Sequence, residues 1–195
     1  MNTSHNRVPF FRVKMLQTSL GVLPTLATFH GLQAFHGRHD PLSTVLSGGS
    51  AGLVCGAISA FQRRQVFPEA AEELRFFSLR QTLLKGSIGF ACAFTVYEGL
   101  TRGITKARWP TSQPSPQETL SDWSWHVSNF LAGGVSGIAF RAATVPLYRG
   151  VIENPLLTPR GAVLLGSSFV QMGIAMGLGS AAKAVFDAFI PPSPS

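Results

Sequence analysis

Long apolar stretches alternate with short charged segments along most of this chain. Four stretches, at about 41–62, 83–102, 125–148 and 161–184, are long enough to cross a membrane, which takes roughly 20 apolar residues in a helix. The second fits least well, because Lys85 and Arg102 must reach opposite membrane surfaces with their long side chains. The pattern predicts an all-α protein, an integral membrane four-helix bundle over 41–190, followed by a short tail at 191–195.

Glycine recurs at four-residue spacing within these stretches, which places several glycines on one helical face. In lipid, such a face lets two helices pack with their backbones close together. In a water-exposed helix, each interior glycine would instead cost about 0.5–1 kcal/mol relative to alanine. We therefore predict helix-packing positions at Gly48, Gly52 and Gly56 in the first stretch, Gly89 in the second, Gly133 and Gly137 in the third, and Gly173 and Gly177 in the fourth.

The segments outside the apolar stretches differ in composition. Residues 63–80 mix acidic and basic side chains, which predicts a solvated helix on the membrane surface. Three prolines predict an irregular loop at 109–121, and the tryptophans that flank it favour the membrane–water boundary. The first 39 residues contain no acidic side chain, so 1–40 is either a mitochondrial targeting segment or a basic flank that forms an interfacial helix.

Charge is sparse in the chain as a whole, at 13% of residues against about 25% in soluble domains. A mean hydropathy of +0.22 also favours a membrane protein. The net charge of +7 raises the alternative of nucleic-acid binding, but the basic residues are not clustered and no nucleic-acid-binding motif occurs. We expect these residues to contact anionic lipid headgroups, with no nucleic-acid partner.

Arg141 is the most informative single side chain, since a charge inside a membrane helix costs roughly 2.5–3.5 kcal/mol without a partner or water. Glu98 has the opposite charge, but the helix rise places it about 6 Å from the membrane surface that carries the second loop. Arg141 should lie roughly 20 Å from that same surface. We therefore predict that Glu98, Arg141 and Arg149 contact lipid or a partner protein separately. For Arg141 the contacts expected are lipid phosphate or the acidic residues Glu69, Glu72, Glu73 and Glu153.

The two cysteines, Cys55 and Cys92, lie in the first and second stretches. They are either small apolar side chains or a disulfide that joins the two helices. The histidines show no metal-ligand spacing, and no phosphate loop or nucleophile motif occurs. We expect no enzyme activity, no metal, no cofactor and no small-molecule substrate, with bound phospholipid such as cardiolipin as the ligand that the basic helix ends favour.

Two segments carry a family resemblance. Segment 86–102 begins with GSIGF and ends with YEGLTR, and segment 129–141 reads NFLAGGVSGIAFR. They resemble the second and third helices of the mitochondrial Tim superfamily of four-helix inner-membrane proteins, and the first glycine stripe fits the first helix of that family. The resemblance implies a multi-pass protein of the mitochondrial inner membrane, whose partners are other membrane subunits of a large complex.

That superfamily contains two functional classes. One is a non-catalytic accessory subunit of respiratory complex I (NADH:ubiquinone oxidoreductase), which supports assembly and stability of its membrane arm. The other is the channel-type subunit of an inner-membrane protein translocase. A translocase groove should present several polar or acidic residues along one helical side, whereas the apolar stretches here offer few beyond Glu98 and Arg141. The resemblance therefore favours the accessory subunit, and the translocase subunit is the alternative.

Overall fold

A computed structural model describes residues 10–36, 40–65, 78–148 and 159–189, and nearly all of them are helical. No strand occurs within these ranges, so the predicted all-α class is confirmed. The elements are α1 (Phe10–His36), α2 (Pro41–Gln65), α3 (Leu79–Arg108), α4 (Pro116–Ser121), α5 (Trp123–Thr144) with a 3-10 turn (Val145–Tyr148), and α6 (Pro159–Phe189).

The four predicted membrane stretches correspond to α2, α3, α5 and α6. Among the described residues, α2 over Pro41–Phe61 and α5 with its 3-10 turn over Trp123–Leu147 are long and apolar enough to span a membrane. Crossings by α3 and α6 stay predictions, and with them the complete four-helix membrane bundle.

The helices pack in chain order. Helix α2 packs along α3, α3 along α5, and α5 along α6, while α1 packs along α2 and touches α6. This arrangement closes a ring around a common core. The core side chains come from five helices: Phe29 in α1, Ala51 in α2, Phe90, Phe94 and Tyr97 in α3, Ala132 in α5, and Met176 in α6.

Helix α1 differs from the predicted interfacial segment, because it runs antiparallel to α2 as part of the bundle. Its contacts with α2 extend from Gly21, beside Cys55, to Gln33, beside Thr44. The buried face of α1 consists of Gly21, Thr25, Phe29 and Gln33, again at four-residue spacing. Two of these four residues are polar and one is glycine, so their hydropathy did not identify them as a packing face.

The connection between α3 and α5 contains a short helix where an irregular loop was predicted. Ser115 and Glu118 form a capping box, in which each side chain accepts from the backbone N–H of the other, and a proline at the start favours helix α4. Helix α4 packs against α6. The prolines at 110 and 114 therefore precede an ordered turn of helix and do not make the whole connection irregular.

Several predictions concern residues outside the described ranges. The surface helix predicted at 63–80 is one, because residues 66–77 are not described, while 63–65 belong to α2 and 79–80 to α3. The targeting interpretation of 1–40 lies partly outside them, at residues 1–9 and 37–39. The contact by Arg149 and the tail at 191–195 lie outside them completely.

Candidate functional site

The glycines of α2 form a close seam with α3. A Cβ atom added at Gly48 would lie 2.9 Å from the carbonyl oxygen of Phe90, and one added at Gly56 would lie 3.0 Å from that of Thr82. Between them, Gly52 faces Gly86 still more closely, backbone against backbone. Because both helices contribute positions four residues apart, the seam fixes one antiparallel register between α2 and α3.

A second seam joins α5 to α6. A Cβ atom added at Gly133 would lie 2.7 Å from the carbonyl oxygen of Met172, and Gly137 faces the carbonyl of Ser168. On the other side, a Cβ atom at Gly173 would lie 2.9 Å from the backbone oxygen of Phe130. Gly177 makes only an ordinary contact with the same phenylalanine, at 3.6 Å. Of the two packing positions predicted in the fourth stretch, Gly173 is therefore in close contact with α5 and Gly177 is not.

Gly89 lies at the contact that connects the two helix pairs. The ring of Phe140 in α5 occupies the space where a Gly89 side chain would be. The same ring packs edge-on against Phe90, with centroids 5.0 Å apart. Here glycine accommodates an aromatic side chain, whereas in the two seams it accommodates another backbone.

A buried hydrogen-bonded cluster lies further along the α3–α5 contact. The Tyr97 hydroxyl donates to Oδ1 of Asn129 at 3.0 Å, and Nδ2 of Asn129 donates to the Trp125 carbonyl at 3.0 Å. The Ser180 side chain of α6 approaches the same hydroxyl. The cluster links three helices through polar groups, which in lipid have no water as an alternative partner.

Glu98 and Arg141 lie at opposite ends of the bundle. Glu98 pairs with Arg102 on the next turn of α3, at 3.4 Å. The α2–α3 register places Glu98 level with Asp40, just before α2 begins. Glu98 therefore lies at the edge of the candidate span of α2, and it contacts a residue of its own helix.

Arg141 lies in the last turn of α5, toward the first and third interhelical connections. Its Nε donates to the hydroxyl of buried Ser168 in α6 at 2.6 Å. The acidic residues predicted as alternative partners are outside the described ranges. By the α3–α5 contacts, Lys85 lies at about the level of Arg141, so this depth of the bundle carries two cations.

The predicted alternative of a disulfide is wrong for this structure, since Cys55 and Cys92 are both free thiols. The α2–α3 register places Cys55 level with Leu83, so Cys92 is about nine residues, or about 13 Å, further along α3. A disulfide needs Cα atoms within about 7 Å. Cys55 instead faces α1, where a Cβ atom on Gly21 would lie 3.8 Å from its Sγ.

A polar clamp joins the end of α3 to the start of α5. The Arg108 guanidinium pairs with the Asp122 carboxylate at 2.5 Å and also bonds the Ser124 hydroxyl. Burial acts to raise the pKa of Asp122, but hydrogen bonds from Trp125 and Ser124 and the Arg108 charge outweigh it and hold that pKa below its usual value. In α4, bonds from the Ser115 backbone and hydroxyl lower the pKa of Glu118.

Sequence reasoning missed the packing roles of Gly86, Tyr97 and Asn129. Gly86 could have been considered as a second glycine in the same apolar stretch as Gly89, but its contact with Gly52 depends on the register between the helices. An asparagine in an apolar stretch was a second available signal, since buried amides in membranes need a partner. The tyrosine that supplies this partner is 32 positions away along the chain, and no local pattern identifies it.

No group of three or more histidine, cysteine, aspartate or glutamate side chains within the described ranges could hold a metal ion. The arrangement of seams, clusters and clamps can hold helices together and present apolar faces outward. No protein-family model, curated protein or solved structure matches the chain.

Proposed function

We propose that this protein is a non-catalytic membrane subunit whose role is to pack within a larger assembly. The observation that carries the proposal is the exposed apolar outer surface. In each candidate span only 33% of the most apolar 18-residue segment is buried inside the molecule. On α5, Leu131, Val135 and Ile138 are between 40% and 50% exposed. Exposed apolar faces of this length require lipid or partner helices as cover.

The interior supports a packing role over a conducting one. Helix α1 contributes to the core, where its Phe29 stacks on Phe94 of α3 with ring centroids 3.8 Å apart. The polar side chains Tyr97 and Asn129 in the described core are hydrogen-bonded across the α3–α5 contact. A groove that receives a passing polypeptide would need open polar surface along one side.

The specific form of the proposal is an accessory subunit of the membrane arm of mitochondrial respiratory complex I. Its support is the resemblance of 86–102 and 129–141 to the Tim superfamily, together with the glycine seams that those segments contribute. In that setting Arg102, Lys106 and the other basic helix ends contact anionic lipid such as cardiolipin. The alternative, a channel-type translocase subunit, has the same resemblance behind it, but in the described part of the chain α1 covers the α3 face that would line such a groove.

The experiment is separation of detergent-solubilised mitochondrial membranes on a native gel, with an epitope on this chain and mass spectrometry of each band. Comigration with NADH dehydrogenase activity is expected. Migration with protein-import components would favour the translocase alternative, and migration as an isolated monomer would contradict both.

Matched variants sharpen this experiment. Gly137→Leu should prevent entry into the large band, because Gly137 faces the Ser168 carbonyl across the α5–α6 seam. Gly166→Leu in α6 is the control, since a Cβ atom there has nothing within 4 Å. Equal incorporation of both variants would show that seam packing is not what the assembly depends on.

A further inference from the structure

The contact between α1 and α2 is built from small and polar residues. On α2, the four-residue stripe facing α1 is Ser43, Ser47, Ala51 and Cys55, which lies beside the glycine stripe that faces α3. One side-chain hydrogen bond between these two helices runs from Nε2 of Gln33 to the Thr44 hydroxyl and is long, at 3.5 Å. Hydroxyl groups buried beneath a helix are normally hydrogen-bonded, so polar groups on that helix would be expected to match them.

Neither of the two hydroxyls on this stripe is matched. Ser43 is 6% exposed and Ser47 is 1% exposed, and the Oγ atom of each has no hydrogen-bond partner. They lie one helical turn apart on the face of α2 that α1 covers. Buried hydroxyls are hydrogen-bonded in the great majority of native structures, so two such atoms on one stripe require an explanation.

Two further features weaken α1, one within the helix and one at its contact with the core. Pro24 lies inside the helix and removes a backbone donor. A small apolar cavity remains between α1, α3 and α6, lined by Thr25, Leu26, Phe90, Phe94, Met172, Ala175 and Met176. Against these defects, the Phe29–Phe94 stack is the main aromatic contact that α1 makes with the core.

We propose that α1 is a displaceable strap, which fills a docking groove formed by α2, α3 and α6 until a partner transmembrane helix takes its place. The occupant is a helix that carries hydroxyl or amide side chains one turn apart, so that Ser43 and Ser47 gain the hydrogen bonds they lack against α1. It also carries an aromatic or large aliphatic side chain for the site that Phe29 occupies on Phe94.

The chemistry of the groove selects this occupant. Hydroxyl and amide side chains make interhelical hydrogen bonds in membranes, and the small α2 stripe permits a close backbone approach. A wholly apolar helix would leave both serines unbonded, as α1 does. The inference rests on the proposed function, because a docking partner exists only if the protein is a subunit of an assembly.

A disulfide lock tests whether α1 must leave. Gly21→Cys places a thiol beside Cys55, since the Gly21 Cβ position is 3.8 Å from its Sγ. Oxidation of this variant in a Cys92→Ala background should tie α1 to α2. Incorporation into the native-gel complex should fall at least tenfold in the oxidised protein and recover after reduction. Gly31→Cys in the same background is the control, because its Cβ position has nothing within 4 Å.

The outcomes separate the two proposals. If the oxidised lock assembles as well as its reduced form, α1 is not displaced and this inference is wrong, although the proposed function stands. If the Gly31→Cys control and the reduced protein also fail to enter any large complex, the proposed function fails with it.

A second pair of variants tests the serines directly. Ser43→Ala combined with Ser47→Ala should leave the thermal stability of the isolated protein unchanged or raise it, because it removes two unbonded polar groups. The same variant should lower incorporation about tenfold, since the partner loses two interhelical hydrogen bonds. Ser50→Ala, on the exposed face of α2, should do neither. Unchanged incorporation of the double variant would overturn the assigned chemistry of the groove.

Discussion

Glycine has a different purpose at different positions of this protein. At Gly52 and Gly86 the two backbones meet, so any side chain would separate α2 from α3. At Gly89 and Gly134 the missing side chain leaves space for a phenylalanine ring from the adjacent helix. At Gly99 and Gly103 a Cβ atom would have nothing within 4 Å. The last group provides internal controls for the first.

Gly52→Ala should destabilise the protein by about 1–3 kcal/mol, because the added methyl group meets the Gly86 backbone and the tightly packed helices must move apart. Gly103→Ala should be neutral or stabilise by up to about 1 kcal/mol through its better helix propensity. Thermal unfolding in one detergent measures both. Equal effects of the two substitutions would mean that the α2–α3 seam does not depend on close backbone approach.

Sequence periodicity identified the stripe residues but not all of their partners. A regular four-residue spacing relates Gly48, Gly52 and Gly56, so the sequence alone shows that they share one helical face. That they face Thr82, Gly86 and Phe90 depends on the register of two helices, which local sequence does not encode. The buried stripe of α1 was missed for a related reason, since Thr25 and Gln33 are polar and their burial depends on what covers them.

At the scale of elements, the end of α3 and the start of α5 act as one unit. The Asp122 carboxylate accepts from the backbone N–H groups of Ser124 and Trp125, at 3.0 and 3.2 Å, and so caps α5. The same carboxylate pairs with Arg108 at the last turn of α3. One side chain thus links a helix start to a neighbouring helix end.

This cap should weaken in acid. Because the pKa of Asp122 is lower in the folded protein, its contribution is complete above the ordinary aspartate pKa of about 3.9 and is lost as pH falls through the folded value. Hydrogen exchange at the Ser124 and Trp125 amides, corrected for intrinsic rates, should therefore accelerate as the pH falls below the ordinary aspartate range and stay level at neutral pH.

Asp122→Asn should abolish this acceleration of hydrogen exchange in acid. Glu118→Gln, which alters the cap of α4, should preserve it. If hydrogen exchange still accelerates in acid in Asp122→Asn, a group other than Asp122 causes the acceleration. The capping box of α4 was itself readable from Ser115 and Glu118, but the prolines before it drew the prediction toward an irregular loop.

At the scale of the whole molecule, the main question is what surrounds the apolar outer faces. If lipid does, Ile138→Lys should reduce membrane integration, at a cost of about 3 kcal/mol for a lysine near the bilayer centre. Trp123→Lys is the matched control on α5, because the helix registers place it beyond the level at which α2 begins. The fraction retained after alkaline carbonate extraction is the measurement, and equal retention of both variants would contradict a lipid-facing surface.

The register between α2 and α3 has one further consequence. Tyr97 is level with Pro41, so α3 continues for about 16 Å past the start of α2 before it ends at Arg108. Successive turns of this extension carry Glu98, Arg102 and Lys106. The ion pair between Arg108 and Asp122 joins the end of the extension to the start of α5. A molecule that binds there meets charges on a backbone that is already helical, so binding must order the long side chains but requires little further loss of backbone conformational entropy.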